Sequence, residues 1–338
     1  MLAPGAESAT AKDLTPPPEP LVTLPIHLDN NRPSTTFEVM GQNLDLLLDT
    51  GASKSLLLEK EDLHRGQWQA SAPVNIRFPA FNQLADASQI SNVEFRAGNF
   101  VFKNQDTLLL HNEGDMVQRL VSQMDGILGR DFFRNYVVAI SASNHKMSLY
   151  PAGTDMSSLF KTMQPITLRN GTPYLVHRSR LPWEKMPTIK VFMLDTGYPG
   201  GVALWDDDQF TRATNTIEAA ELRKSDKGIL YFGRFRFGKL IFNNLPIFIG
   251  SHTPKQLQER QGIIGATMLA PFDYAIDLSS GKLWLTPNIA GLYSGFDLDN
   301  KAIYTPGNEE FVVKDFRPPV SASPKVVIYG GQAGGQPR

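Results

Sequence analysis

Asp-Thr-Gly occurs twice in this chain of 338 residues, at Asp49-Thr50-Gly51 and at Asp195-Thr196-Gly197. Each copy closes an apolar run, Leu46-Leu47-Leu48 in the first case and Val191-Phe192-Met193-Leu194 in the second. An apolar strand that stops at an acid and a glycine carries a carboxylate out of a core onto a tight loop. Tripeptides recur by chance, so the surroundings decide whether the two copies belong together. Downstream of the first lies Gly126-Ile127-Leu128-Gly129, and downstream of the second Gly262-Ile263-Ile264-Gly265. The 26 residues from Gly126 to Pro151 align without a gap on the 26 from Gly262 to Pro287, with nine identities. The aspartates are 146 residues apart and the later blocks 136, so the first unit holds ten more residues between its two motifs. A duplicated unit of this length is far longer than a solenoid repeat and reads as two lobes of one fold.

Between the motifs, short apolar runs alternate with Gly, Asn and Pro, as in Leu24–Leu28, Phe100–Phe102 and Leu240–Phe242, which predicts an all-β architecture. Helical pattern is scarce; it is expected over Trp205–Glu221, which opens on Asp206-Asp207-Asp208, and over Thr253–Arg260. The duplication divides the chain into a flexible leader (1–20), an N-terminal lobe (21–158), a C-terminal lobe (159–290), an extension with strand-like runs such as Phe311–Val313 and Val326–Tyr329 (291–329), and a disordered Gly-rich tail (330–338).

Composition narrows the chemistry. A hydrophobic content of 41% and a charged content of 20% are those of a globular protein. A net charge of -1 leaves no basic field for nucleic acid. No run approaches the ~18 apolar residues of a membrane span. With no cysteine there is no disulfide, thiolate metal site or thiol nucleophile. Six scattered histidines lack the His-Glu-x-x-His spacing of a zinc hydrolase, and there is no Gly-x-Ser-x-Gly elbow. What remains is a pair of acids. Two carboxylates facing each other bind one proton in coupled steps, so that one serves as general base on a water while the other donates a proton.

The order apolar-apolar-Asp-Thr-Gly-Ala, a strand-rich stretch, then Gly-Ile-Leu-Gly-Arg-Asp resembles one lobe of a retropepsin-type aspartic protease. Two such units in one chain resemble pepsins, and the whole is similar to the two-lobed retropepsin-like proteases of bacteria. The resemblance spans roughly residues 21 to 287. It implies two pseudo-symmetric lobes with a cleft between them, a monomeric aspartic endopeptidase acting on polypeptide, and no metal or other cofactor. It implies Asp49 and Asp195 as the catalytic dyad, with Thr50 and Thr196 bonding across to the opposite loop and Gly51 and Gly197 allowing close approach. It favours an exported bacterial protein, periplasmic or secreted, with no signal sequence in this chain.

Two positions depart from the pattern. Ala52 follows the first motif, whereas Tyr198 follows the second, where a small residue is usual. Neither places a short hydroxyl beside its carboxylate, so a pH optimum less acid than pepsin's is expected. Tyr198 shapes a subsite or silences the site. Phe78 and Phe81 are candidates for a flap over substrate; as aromatics in a strand-rich stretch they also fit a core. The competing functions are a catalytically silent peptide-binding or scaffolding protein with the same lobes, and a glycosidase using the two acids. The second fits poorly, because it gives the Thr-Gly flanks and the Gly-Ile-x-Gly blocks no purpose.

Overall fold

The computed structural model describes residues 16–59, 70–78, 83–104, 106–111, 124–205, 207–217, 223–225, 228–237, 240–250, 262–288, 302–304 and 311–313. Outside these lie most of the leader, Phe81, the helix expected over Thr253–Arg260, the run Val326–Tyr329 and the tail.

Among the described residues the alternation of apolar and turn residues produces strands almost throughout, arranged in two ten-stranded sheets and one six-stranded sheet. In the first large sheet the strand leading to Asp49, Gln42–Leu48, has Arg32–Val39 antiparallel on one side and Gly126–Leu128 parallel on the other. Gly126–Leu128 pairs in turn, antiparallel, with Leu56–Leu58. The second sheet repeats this order: Thr188–Asp195 lies between Thr172–Arg180 and the parallel strand Gly262–Gly265, which pairs antiparallel with Val202–Trp205. Gly228–Phe237 pairs with both Thr172–Arg180 and Leu240–Gly250, so six strands of the second sheet close on themselves. Closure leaves fewer free strand edges.

The two halves meet in the six-stranded sheet. Tyr136–Ser141 and Lys146–Pro151 come from the first copy of the 26-residue repeat, and Phe272–Asp277 and Lys282–Pro287 from the second. The central pairing, Val138 with Ile276 and Ile140 with Tyr274, joins the copies directly. Val22–Pro25 and Thr162–Pro165 cover the two edges. Past residue 290 the described strands, Ala302–Tyr304 and Phe311–Val313, extend the second large sheet beside Leu240–Phe242.

Strand alternation decides what each apolar residue packs against. Leu44, Leu46 and Leu48 join the main core, as do Phe192 and Leu194. Leu47 and Met193 face the other way, into small clusters beside the two acids. A run of edge-to-face aromatic contacts, Phe37 with Phe95 and Phe132, and Phe102 with Phe132 and Tyr136, fills the first half of the core. The tight turns at Asn30-Asn31 and Asn170-Gly171 have φ of 50° and 66°, and of 48° and 73°, as hairpin turns with both central residues left-handed require.

The helix expected over Trp205–Glu221 is shorter: it spans Asp207–Thr216, with Phe210, Ala213 and Ile217 against the core. Trp205 instead closes a strand, because Val202-Ala203-Leu204 is a short buried run sandwiched between Ile247–Ile249 and Gly262–Ile264. Apolar runs of this length are ambiguous between helix and strand until their neighbours are known.

Candidate active site

The parallel pairings bring each Gly-Ile-x-Gly block alongside the strand that ends in its acid. Leu48 stands opposite Leu128 and the Asp49 amide donates to the Leu128 carbonyl at 3.0 Å; Asp195 stands opposite Gly265. Beyond the acids the chain turns sharply in both lobes. Gly51 and Ala52 amides donate to Asp49 Oδ1 at 2.7 and 3.1 Å, and Gly197 and Tyr198 amides to Asp195 Oδ1 at 3.1 and 3.0 Å. Each carboxylate is thereby oriented by its own loop.

The loops are bound to one another through the threonines. Thr50 Oγ1 donates to the Leu194 carbonyl at 2.8 Å and accepts from the Thr196 amide at 3.1 Å. Thr196 Oγ1 donates to the Leu48 carbonyl at 2.7 Å and accepts from the Thr50 amide at 3.0 Å. Both threonines are buried, and their hydroxyls use donor and acceptor capacity alike. The clamp draws the backbones so close that a Cβ on Gly51 would stand 2.6 Å from the Asp195 carboxyl, and one on Gly197 would overlap Asp49. Each glycine faces the other lobe's acid.

The two carboxyl groups are within hydrogen-bonding reach of each other. Burial pushes the Asp49 carboxyl above its ordinary value; the bonds from Asp195, Gly51 and Ala52 and the charge of Arg130 oppose the shift without cancelling it. An acid so placed keeps its proton to higher pH, and a neighbouring pair of this kind holds one proton between them.

Around this symmetric centre the lobes differ. In the first, Arg130 is buried beneath the loop and its Nη1 donates to the Gly51 carbonyl at 2.8 Å and the Thr50 carbonyl at 3.3 Å. Burial pulls its guanidinium below the ordinary value, with the charge of Asp49 pulling the other way. The next residue, Asp131, accepts from the Ser55 amide and hydroxyl and from Asn104 Nδ2, at 2.6 to 3.0 Å. In the second lobe these positions are Ala266 and Thr267. Thr267 donates to the Pro199 carbonyl at 2.5 Å and accepts from Asn31 Nδ2 at 2.9 Å, so a turn of the first lobe braces the second loop.

The loop after Asp195 is also one residue longer. Leu56 and Ala203 hold matching places, opposite Ile127 and Ile263, yet they follow their acids by seven and eight residues. The added length accommodates Tyr198. Its half-buried ring lies against Gly200 and Gly265, where a Cβ would meet ring atoms at 2.5 Å, and packs with Tyr174, Met193 and Ile263. Burial, and second the charge of Asp195, hold its phenol well above the ordinary range, so it stays neutral. The corresponding cluster in the first lobe is aliphatic: Leu47, Leu56, Leu110 and Ile127, with Ala52 beside them.

Of the other candidates, Phe78 ends strand Ala70–Phe78 opposite Gln83 of the returning strand Gln83–Ile90, and Phe81 lies outside the described residues. Arg130 and Asp131 entered the sequence reading only as the end of the Gly-Ile-Leu-Gly-Arg-Asp block, without a role, and Ser55, Asn104 and Asn31 did not enter it. For the first two the signal available was the change straight after the Gly-Ile-x-Gly blocks, from Arg130-Asp131 to Ala266-Thr267. Among the described residues no group of three or more His, Asp or Glu side chains is placed to hold a metal ion, and no helix is long and apolar enough to cross a membrane.

Residues 35–132 match the family model described as aspartyl protease. No curated protein matches the chain in sequence. Among solved structures, an aspartic proteinase from Irpex lacteus superposes with a TM-score of 0.57 at 14% identity, over 80% of this chain and 98% of that one. Basic 7S globulin from soybean gives 0.56 at 13% identity, over 84% and 100%. Conglutin gamma, a basic 7S globulin from lupine seeds, gives 0.56 at 14%, over 83% and 100%. At these identities the likeness is one of fold.

Proposed function

We propose, from the two-lobed pepsin- and retropepsin-like fold that the chain adopts, that it is an aspartic endopeptidase with Asp49 and Asp195 as its dyad. The observation that carries the reading is the meeting of the two carboxyls on loops clamped by reciprocal threonine bonds. One proton shared by the pair leaves one carboxylate charged. That carboxylate takes a proton from a water as its oxygen attacks the peptide carbonyl carbon, while the protonated partner donates to the carbonyl oxygen. As the tetrahedral species collapses and the C–N bond breaks, the leaving amine takes the proton that the first carboxyl had drawn from the water. A hydroxyl of the tetrahedral species returns its proton to the other carboxylate, which restores the one-proton pair. The loops that hold Oδ1 of each acid by two amides fix the geometry before substrate arrives, which is where much of such catalysis resides.

A second reading, a peptide-binding protein without catalysis, is favoured by Tyr198 beside Asp195 and by the two globulins among the structural neighbours. Cleavage of an unfolded protein across pH, with and without pepstatin, separates the two. The endopeptidase reading expects cleavage at weakly acid pH that falls by at least ~10²–10⁴-fold in Asp49→Asn and in Asp195→Asn. Cleavage that survives either change sinks the dyad; peptide binding by folded protein with no cleavage at any pH favours the second reading.

A further inference from the structure

The outward face of the second large sheet carries four arginines on two neighbouring strands. On Thr172–Arg180, Leu175 and Ser179 turn inward while Arg178 and Arg180 are exposed. On Gly228–Phe237, Phe235 and Phe237 lie in the core while Arg234 is exposed and Arg236 half-buried. The register sets Arg180 directly opposite Arg236, and Arg178 directly opposite Ile189 of the strand leading to Asp195. Directly opposed residues share a face with Cβ atoms about 5 Å apart, and alternate residues of one strand are about 7 Å apart. The guanidinium groups therefore crowd one patch. Beside them Ile189 is 67% exposed, and Met186 in the adjoining turn 71%.

Among the described residues Arg178, Arg180 and Arg234 form no ion pair with an acid. Arg236 has an interaction of its own, which leaves the guanidinium groups of Arg178, Arg180 and Arg234 for a partner. Like charges directly opposed on a sheet lower stability. We propose that this face is a docking surface for an extended, acidic stretch of polypeptide that carries apolar side chains among its carboxylates. Guanidinium forks take carboxylates bidentately, and apolar side chains would cover Ile189 and Met186. A chain of net charge -1 lacks the broad field that gathers a large polyanion. The exposed positions Arg178, Arg180, Ile189 and Arg234 also offer no ring on which bases stack. Ile189 and Asp195 share one face of one strand six residues apart, roughly 20 Å. The surface is thus separate from the dyad and does not depend on cleavage.

The test is fluorescence anisotropy of the full chain with a labelled peptide of alternating Glu and Leu and with its Gln–Leu counterpart. The Glu peptide is expected to bind about ten-fold more tightly at low ionic strength, with the preference fading towards 1 M salt. Arg178→Gln/Arg180→Gln should abolish the preference while melting at no lower a temperature than the parent, since a like-charge opposition is relieved. Equal affinity for the two peptides, or a preference unchanged in the double variant, overturns the proposal. So does capture by phosphatidylserine vesicles that the double variant loses while the two peptides bind alike, an outcome that assigns the face to a membrane.

Discussion

Asp49 and Asp195 are matched in their amide bonds and unmatched in their surroundings. Arg130 reaches under the first loop, and Ala266 stands at the same step of the repeat in the second. Its charge opposes the upward shift of Asp49. Arg130→Met should therefore let the dyad keep its proton to higher pH, moving the alkaline limb of a pH–rate profile upward; a limb that moves down would contradict this. Leaving two loop carbonyls without their donor should also cost about 1–3 kcal/mol in unfolding experiments. The Asp49 carboxyl itself has a raised folded value, so its contribution to stability is fully present below the ordinary 3.8 and is lost as pH rises through the folded value. Asp49→Asn should accordingly gain on the parent in melting temperature as pH rises from about 3 to 7. Tyr198 is the sharper residue. Its amide serves Asp195, but its ring rests on Gly200 and Gly265 instead of offering a hydroxyl to the carboxylate. Tyr198→Thr would supply that hydroxyl and favour the charged acid, shifting the pH optimum down. The pair of acids was legible from the duplicated tripeptides. The bed of the tyrosine was not, because beside Gly200 it is formed by Gly265, 67 residues further on.

At the scale of elements, the threonine clamp and a buried ion pair set local rigidity. Thr50→Val removes a hydroxyl that serves the Leu194 carbonyl and the Thr196 amide, leaving two buried polar groups unsatisfied at about 1–3 kcal/mol each. Thr196 makes the reciprocal bonds, and since none of the four joins the two hydroxyls to each other, the double change Thr50→Val/Thr196→Val should cost about the sum of the single ones. A smaller cost in a double-mutant cycle by denaturant unfolding would show that the loops part once either threonine is lost. In the second lobe Lys190 Nζ meets Glu184 Oε1 at 2.6 Å with both side chains buried, at 6% and 7% exposure. Glu184 also accepts from the Leu181 amide and from Gln209 Nε2, and Gln209, whose Oε1 accepts from the Trp183 indole N–H, ties it to helix Asp207–Thr216. Removing one partner by Glu184→Leu leaves a buried charge, and a loss of about 3–5 kcal/mol is expected. The helix was foreseen with its start two residues early and its length overdrawn. Trp205 reads as well in a helix as in a strand until Ile247–Ile249 and Gly262–Ile264 are seen to flank the Val202–Leu204 run.

Across the whole molecule, three strands from each half form the sheet that joins them, and the two acids meet where the threonine bonds hold their loops together. A chain that carries both loops needs no second copy to complete the pair. Specific activity should therefore be independent of protein concentration, with a single monomeric species in sedimentation, whereas activity that rises with dilution-reversible association would point to a dimer. The duplicated motifs and the 26-residue repeat determine, from sequence alone, that there are two lobes, which acids they carry and that strands predominate, since these depend on local periodicity and on identity between distant segments. Only the tertiary structure decides that Arg130 supports one acid alone, that Asn31 braces the opposite loop through Thr267, and that Arg180 stands against Arg236. Those relations are set by strand register and by the closure of the two loops on each other, and register joins residues tens to hundreds apart that no local pattern relates.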